Sequence, residues 1–399
     1  MEADMVNEKM QSLGATRSVI RETFEYGKKR KSEIGEENVF DFSIGNPSVP
    51  SPREVNESLI KLLSETDPVS LHGYTSAQGD AGVRSYIADY INSTYGDSVS
   101  ANDFYLTVGA AASLTITLTA ILNEGDEVIL IAPFFPEYRV FVERTGARVV
   151  VVDSEKGSLQ PDIGAIEAAF TERTRAIIVN YPNNPTGAVV TEEKAMALGR
   201  LVSRMSEKYS NPVYLISDEP YRELVYDGVT VPYLPKYCDN TIVCYSFSKS
   251  LSLPGERIGY IMVSPRCTDH NAVYEAVCGA GRALGFVCAP SLFQYMIPHV
   301  LGKVSDLGVY SENRRLLYSA LTDMGYTAVK PDGAFYLFVK SPEADAKAFC
   351  ERARKYELLL VPSDSFGCSG YVRISYCVRT EQIKRAIPAF RALFESYNN

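Results

Sequence analysis

The chain has 399 residues, 46% of them hydrophobic, with a formal net charge of −9 and a pI near 5.2. That length exceeds a single typical core, so two domains, or one large α/β domain with an appendage, are expected. The acidic balance argues against a general nucleic-acid binder or a polybasic membrane adaptor, so any anionic ligand must be caught by local arginines.

The start, Met-Glu-Ala-Asp-Met-Val-Asn-Glu, lacks the layout of a signal peptide, and no window approaches about eighteen uninterrupted apolar residues; a soluble cytoplasmic protein is expected. Further on, Ser51-Pro52-Arg53-Glu54 reads as a capping box with proline at the first helical position, opening a helix through Leu63. Between about residues 100 and 265, β-branched runs alternate with helical stretches. The runs are 127–131, 148–152, 176–179, 213–216, 241–244 and 258–263; continuous apolar strands of this kind are buried on both faces. Ala111 to Leu122 and Thr191 to Lys208 fit crossover helices. A mostly parallel sheet wrapped by helices follows, with ligand loops at the strand ends. After about residue 290 come a polar helical stretch (Lys303 to Leu321), an apolar run from Gly333 to Val339, a helix near Ala344 to Tyr356, a run from Gly370 to Tyr376 and a final helix. These predict a large domain over 50–290 and a smaller α+β domain formed by 1–49 and 291–399.

All eight cysteines lie in the second half and none forms a Cys-x-x-Cys pair; they read as reduced thiols with no zinc site. Three histidines, His72, His270 and His299, leave a multi-His metal centre or a Ser-His-Asp triad without candidates. No metal is expected, and lysine becomes the better proton carrier. The stretch Ser246-Phe247-Ser248-Lys249 with Arg257 eight residues beyond the lysine is chemistry for a carbonyl cofactor bearing phosphate. A lysine amine forms a Schiff base with an aldehyde, while Ser246, Ser248 and Arg257 offer donors to a phosphate. Taken bare, Ser-x-Ser-Lys also fits any solvated loop. Thr107-Val108-Gly109-Ala110-Ala111 ends a strand and opens a helix whose free N–H groups can hold a phosphate, although an ordinary tight turn reads the same way. Asn183-Asn184-Pro185-Thr186-Gly187 is a turn by composition, and Asp218, at the end of a strand, is by itself as good a helix cap. Arg373, inside an apolar strand, suits a carboxylate ligand.

In this order, and from Gly45 to Arg373, the motifs resemble the class I/II pyridoxal-phosphate (PLP) aminotransferases of fold type I, the aspartate aminotransferase-like enzymes. The resemblance implies a large domain with a mostly parallel seven-stranded sheet and a smaller α+β domain. It implies that Gly109, Ala110, Ala111, Ser246, Ser248 and Arg257 bind the cofactor phosphate and that Phe135 stacks on the pyridine ring. Asp218 is implied to pair with the ring nitrogen, and Asn184 and Tyr221 to act at the O3′ oxygen. Lys249 carries the cofactor and, once displaced, moves the proton from substrate Cα to C4′. A free lysine titrates at about 10.4, so cationic neighbours and the cofactor must lower that value for the shuttle to work near neutrality. Gly45 and Arg373, with Asn184, are implied to take the substrate carboxylate. Tyr74 is implied to reach the neighbouring subunit's cofactor phosphate, which makes the protein a homodimer with a shared site.

The activity so implied is transfer of an amino group from an L-amino acid of aspartate or glutamate, alanine or aromatic type to a 2-oxo acid, by a ping-pong route through pyridoxamine phosphate. Arg282 lies close to the place where aspartate-specific members use a partner arginine, without aligning to it. Two other readings use the same motifs: a carbon–sulfur β-lyase employing Lys249 and Asp218, and a non-catalytic PLP-binding regulator.

Overall fold

A computed structural model describes residues 6–16 and 18–397; Met1 to Met5, part of the N-terminal stretch read above, lie outside them. By contacts the chain divides into a smaller unit of residues 1–46, 312–330 and 335–399 and a larger unit of 47–311 and 331–334. Residues 291–311 therefore group with the larger unit rather than with the C-terminal part.

The smaller unit opens with α1 (Glu8–Ala15), α2 (Val19–Ile34) and a short strand β1 (Phe40–Asp41). The larger unit begins with α3 (Arg53–Glu65), α4 (Pro68–His72) and α5 (Ala81–Tyr95). The capping box expected at Ser51 is not made. Pro52 occupies the cap without a side-chain hydrogen bond, and Glu54 is drawn instead to Lys303 Nζ at 2.9 Å.

From there strands alternate with helices: β2 (Phe104–Thr107), α6 (Ala110–Ile121), β3 (Glu127–Ala132), α7 (Glu137–Glu143), β4 (Arg148–Asp153), α8 (Ile163–Ala168) and β5 (Thr174–Asn180). They continue through α9 (Glu192–Tyr209), β6 (Tyr214–Asp218), β7 (Thr241–Ser246), α10 (Phe247–Ser250), β8 (Gly259–Val263), α11 (His270–Ala283) and α12 (Ser291–Val300). The seven strands form one sheet in the order β2-β8-β7-β6-β5-β3-β4. Only β8 runs against its neighbours, so the sheet is mostly parallel, as the alternating pattern predicts.

Because side chains alternate across a strand, each strand feeds two cores. Val128, Leu130, Ile216, Ile242 and Cys244 pack on one face with α6 and α11. Ile129, Ile131 and Leu215 face α8 and α9 on the other, where Val243 and Tyr245 also join α5 and α12. This parity decides which residues at the strand ends can meet. Asp218 continues the Tyr214 and Ile216 face, toward α6 and α7, whereas Ser217 and Glu219 belong to the opposite face.

In the smaller unit, α13 (Leu307–Met324, of which residues from Glu312 on belong here) is followed by β9 (Ala328–Val329), β10 (Tyr336–Lys340), α14 (Ala346–Arg354), β11 (Leu358–Leu359), β12 (Val361–Pro362), β13 (Tyr371–Ser375) and α15 (Thr380–Glu395). An antiparallel sheet β12-β13-β10-β9 stands beside the parallel pair β1-β11. The helix expected from Lys303 starts only at Leu307, because Asp306 accepts from Gly308 N at 2.8 Å in the manner of a cap while Lys303 is held by Glu54.

Candidate active site

The first half of the site is a cradle of backbone donors. Gly109 precedes α6 with φ +91° and no side chain caps the helix, so the first N–H groups of α6 are left for a ligand. A side chain here would be strained by that φ, and its Cβ would crowd the Arg257 guanidinium, 2.8 Å away. Arg257 itself adopts φ +52° and is steadied by Nη1 donating to Pro254 O at 3.1 Å. The β7–β8 pairing sets Ser246 opposite Gly259, and a Cβ at Gly259 would come within 3.2 Å of Gly109 Cα and 3.3 Å of Ser246 Cα. Ser246 caps α10, accepting from Ser248 N at 3.2 Å, and the two hydroxyls share a hydrogen bond of 2.7 Å. Gly109, Ala110, Ser246, Ser248 and Arg257 are thus gathered at one point. Lys249 rises from the same short helix, half-buried among fully buried neighbours.

The second half is a buried acid. Asp218 ends β6, beside Asn180 of β5 and Cys244 of β7. Its Oδ2 accepts from the Tyr138 hydroxyl, and Asn180 Nδ2 donates to its backbone carbonyl at 2.9 Å. Its Oδ1 is buried and finds no hydrogen-bond partner among the described residues. Burial first, and the charge of Glu219 second, push Asp218 up to about 7, against the pull of the Tyr138 hydrogen bond. Tyr138 is held far above the ordinary phenol range by burial and by Asp218, so it remains a donor. Phe135 meets Tyr138 edge-on, 5.6 Å between centroids. Tyr221 is buried and close enough to Tyr138 to act on it electrostatically. Asn184 is buried in a loop fixed from both sides: its N–H donates to Asn180 Oδ1 at 2.8 Å, and Asn183 Oδ1 accepts from Thr186 N and Oγ1 at 3.1 and 2.8 Å.

An orphaned carboxylate oxygen, an uncapped helix start beside an arginine and a lysine on the adjoining turn fit a phosphorylated aromatic aldehyde with a basic ring nitrogen. No cluster of three His, Cys, Asp or Glu among the described residues is placed to hold a metal.

In the smaller unit Gly45 and Arg373 converge on Tyr336. A Cβ at Gly45 would overlap Tyr336 Oη, at 2.1 Å, and the Arg373 guanidinium lies 4.7 Å from the Tyr336 ring centroid and 5.3 Å from that of Phe366. Arg373 is only 2% exposed, and its Nη2 donates to Ser43 O. Two residues singled out in the sequence are exposed on this chain: Tyr74, at 100%, and Arg282, in the last turn of α11.

Tyr138, Asn180 and Tyr336 escape the sequence reading. Tyr138 alone had a legible signal, following Phe135 by three residues, the spacing of neighbours on one helical turn.

The sequence profile described as aminotransferase class I and II matches residues 37–390. The crystal structure of an amino transferase from Eubacterium rectale superposes with a TM-score of 0.97 at 54% identity, covering 99% of this chain and all of that one. The aspartate aminotransferase of Thermotoga maritima is 30% identical, over 92% of this chain and 95% of its own; the aspartate/prephenate aminotransferase of Thermus thermophilus is 30% identical, over 87% and 88%. The chain belongs to the class I and II aminotransferase family, whose members in general depend on PLP. It is a transaminase with the fold of the type I PLP enzymes.

Proposed function

We propose that this transaminase binds PLP through the residues gathered in the larger unit and moves the amino group of an L-amino acid to a 2-oxo acid in two successive half-reactions. The observation that carries the reading is the orphaned, buried Oδ1 of Asp218 in the same unit as the Gly109–Arg257 cradle and Lys249. Relatives are named for aspartate and for prephenate, and aspartate or glutamate, alanine and aromatic amino acids are the donors to test.

When bound, PLP supplies an aldehyde for the amino group and a ring that accepts the electron pair left at Cα. The phosphate is held by the N–H groups of Ala110 and Ala111 and by Ser246, Ser248 and Arg257, a charge-assisted set needing no further cation. Asp218, as carboxylate, holds a proton on the ring nitrogen; a positive partner there favours its ionised form and reverses the effect of burial. Phe135 covers the ring face, and Asn184 and Tyr221 orient the ring at O3′. Lys249 would carry the cofactor by its amine and, once freed, would serve as the base for the proton on substrate Cα. Arg373, with the Gly45 N–H of the same unit, takes the α-carboxylate. Tyr74, fully exposed on its own chain, serves the partner's phosphate in a cytoplasmic homodimer, for which a sedimentation experiment should find twice the chain mass.

The deciding experiment is the visible spectrum of the PLP-loaded protein before and after single amino acids are added without acceptor. Loss of the band of the lysine-bound cofactor with one equivalent of 2-oxo acid released supports transfer. A persistent band with pyruvate accumulating catalytically from cysteine-like donors indicates carbon–sulfur cleavage. Arg373→Ala is expected to raise KM for amino acids about 100-fold with a smaller change in kcat, the scale of a lost charge-assisted pair. An unchanged KM would remove Arg373 from the substrate site.

A further inference from the structure

The face of the sheet opposite Asp218 holds a second set of buried charges, unused by the chemistry above. Glu219, next to Asp218 in sequence, points the other way by strand parity. Its Oε1 accepts from Ser217 Oγ at 2.6 Å, and its Oε2 accepts from Nε and Nη2 of Arg222. Both side chains of the pair are almost fully buried, at 5% and 6% exposure. Arg222 Nη1 donates to Tyr260 Oη at 3.2 Å, and its guanidinium lies 4.7 Å from the Tyr245 ring centroid and 5.4 Å from that of Tyr95.

Glu223 is the second acid facing Arg222. The Tyr245 hydroxyl lies 2.9 Å from Glu223 Oε1, to which it donates, and 3.1 Å from Ser250 Oγ. Ser250 is the residue after Lys249, and its carbonyl accepts from Ser305 N at 2.7 Å. Tyr90 and Lys303 complete the surroundings, but the lysine's charge is taken by Glu54. One arginine therefore answers two carboxylates. One of them adjoins Asp218; the other is tied through Tyr245 to the turn that carries Lys249.

We propose that Arg222 is a positioning residue for transamination: from behind the sheet it balances Glu219 and Glu223, and so sets the charge felt by Asp218 and by the Lys249 turn. The inference rests on the roles proposed above for those two residues. An ion pair this deep is a poor source of stability, since removing both charges from water costs about what their attraction returns. Its effect on neighbouring protons is another matter. Without Arg222 the region gains a net negative charge in low dielectric, and every proton held nearby is held more tightly. The groups that meet Asp218 from its own side, Tyr138 and Cys244, are both pushed up by burial, carry no positive charge and do not compensate. Burial already raises Glu223, with Arg222 pulling the other way.

The test is a pH titration of the visible band of the PLP-loaded protein, with PLP affinity and melting temperature measured in parallel. Arg222→Met is expected to move the band's midpoint upward by about 0.5 pH unit or more and Glu219→Gln to move it downward, while the double variant returns near the wild-type value, as charge balance requires. Tyr245→Phe, which cuts the link to Ser250, is expected to lower kcat with KM unchanged. If Arg222→Met does not fold, Glu219→Gln and Tyr245→Phe carry the test alone. Midpoints that stay at the wild-type value while only melting temperature falls make the pair a structural element and overturn the proposal. Absence of the band in the wild-type protein, or its persistence in Lys249→Ala, would instead count against the cofactor reading.

Discussion

Lys249→Ala is expected to lower turnover by about 10⁴-fold or more, since it removes the amine proposed both to anchor the cofactor and to move the Cα proton. PLP should still bind, without its visible lysine-bound band, because Gly109, Ser246, Ser248, Arg257 and Asp218 are untouched. Folding should be little affected: alanine is a good helix residue and Lys249 is only half-buried in α10, so a stability change within about 1 kcal/mol is expected. Lys249→Arg separates charge from chemistry. It keeps the positive charge, but a guanidinium does not give up its proton at usable pH, so it should be as inactive as alanine. Stopped-flow absorbance with a single amino acid checks both variants; more than about 1% of wild-type turnover in either would assign the proton transfer elsewhere.

The elements that a local pattern dictates were legible in the sequence. Buried parallel strands are continuous apolar runs, and β3, β5 and β7 lie where their β-branched residues place them. Gly109, Ser246 and Asp218 were placed correctly at strand ends, because in the larger unit each stands where an apolar run gives way to a turn or helix. What escaped was set by tertiary contact. The capping box at Ser51 has the right letters, yet Lys303 claims Glu54 from about 250 residues away. No local rule assigns Tyr138 to Asp218 across 80 residues or brings Tyr336 against Gly45. The Glu219–Arg222 pair is an ordinary i, i+3 spacing; only the burial of both partners marks it as unusual. Two-residue strands such as β1 and β11 carry no pattern of their own and exist because they pair with each other.

Asp218→Asn should separate function from stability in opposite directions. Asparagine cannot hold a proton on the ring nitrogen by charge, so turnover is expected to fall roughly 10²- to 10³-fold, the scale for loss of one preorganised electrostatic partner. The PLP-free protein should become more stable, in a pH-dependent way. An unfolded aspartate titrates near 3.8, whereas burial lifts Asp218 to about 7. Between those values the folded chain binds a proton that the unfolded chain has released, so this group's stabilising contribution declines as pH rises and is lost above about 7. Asparagine escapes that decline, and the stability difference between variant and wild type should grow by roughly 2–3 kcal/mol from pH 5 to pH 8. Adding PLP should shrink the difference, because a positive ring nitrogen gives the carboxylate a partner that asparagine cannot use. Chemical denaturation of both proteins at the two pH values, with and without PLP, measures all four terms. A difference that does not change with pH would mean that Asp218 is ionised at no cost in the empty site, and the buried acid would lose its place as the group poised for a cation.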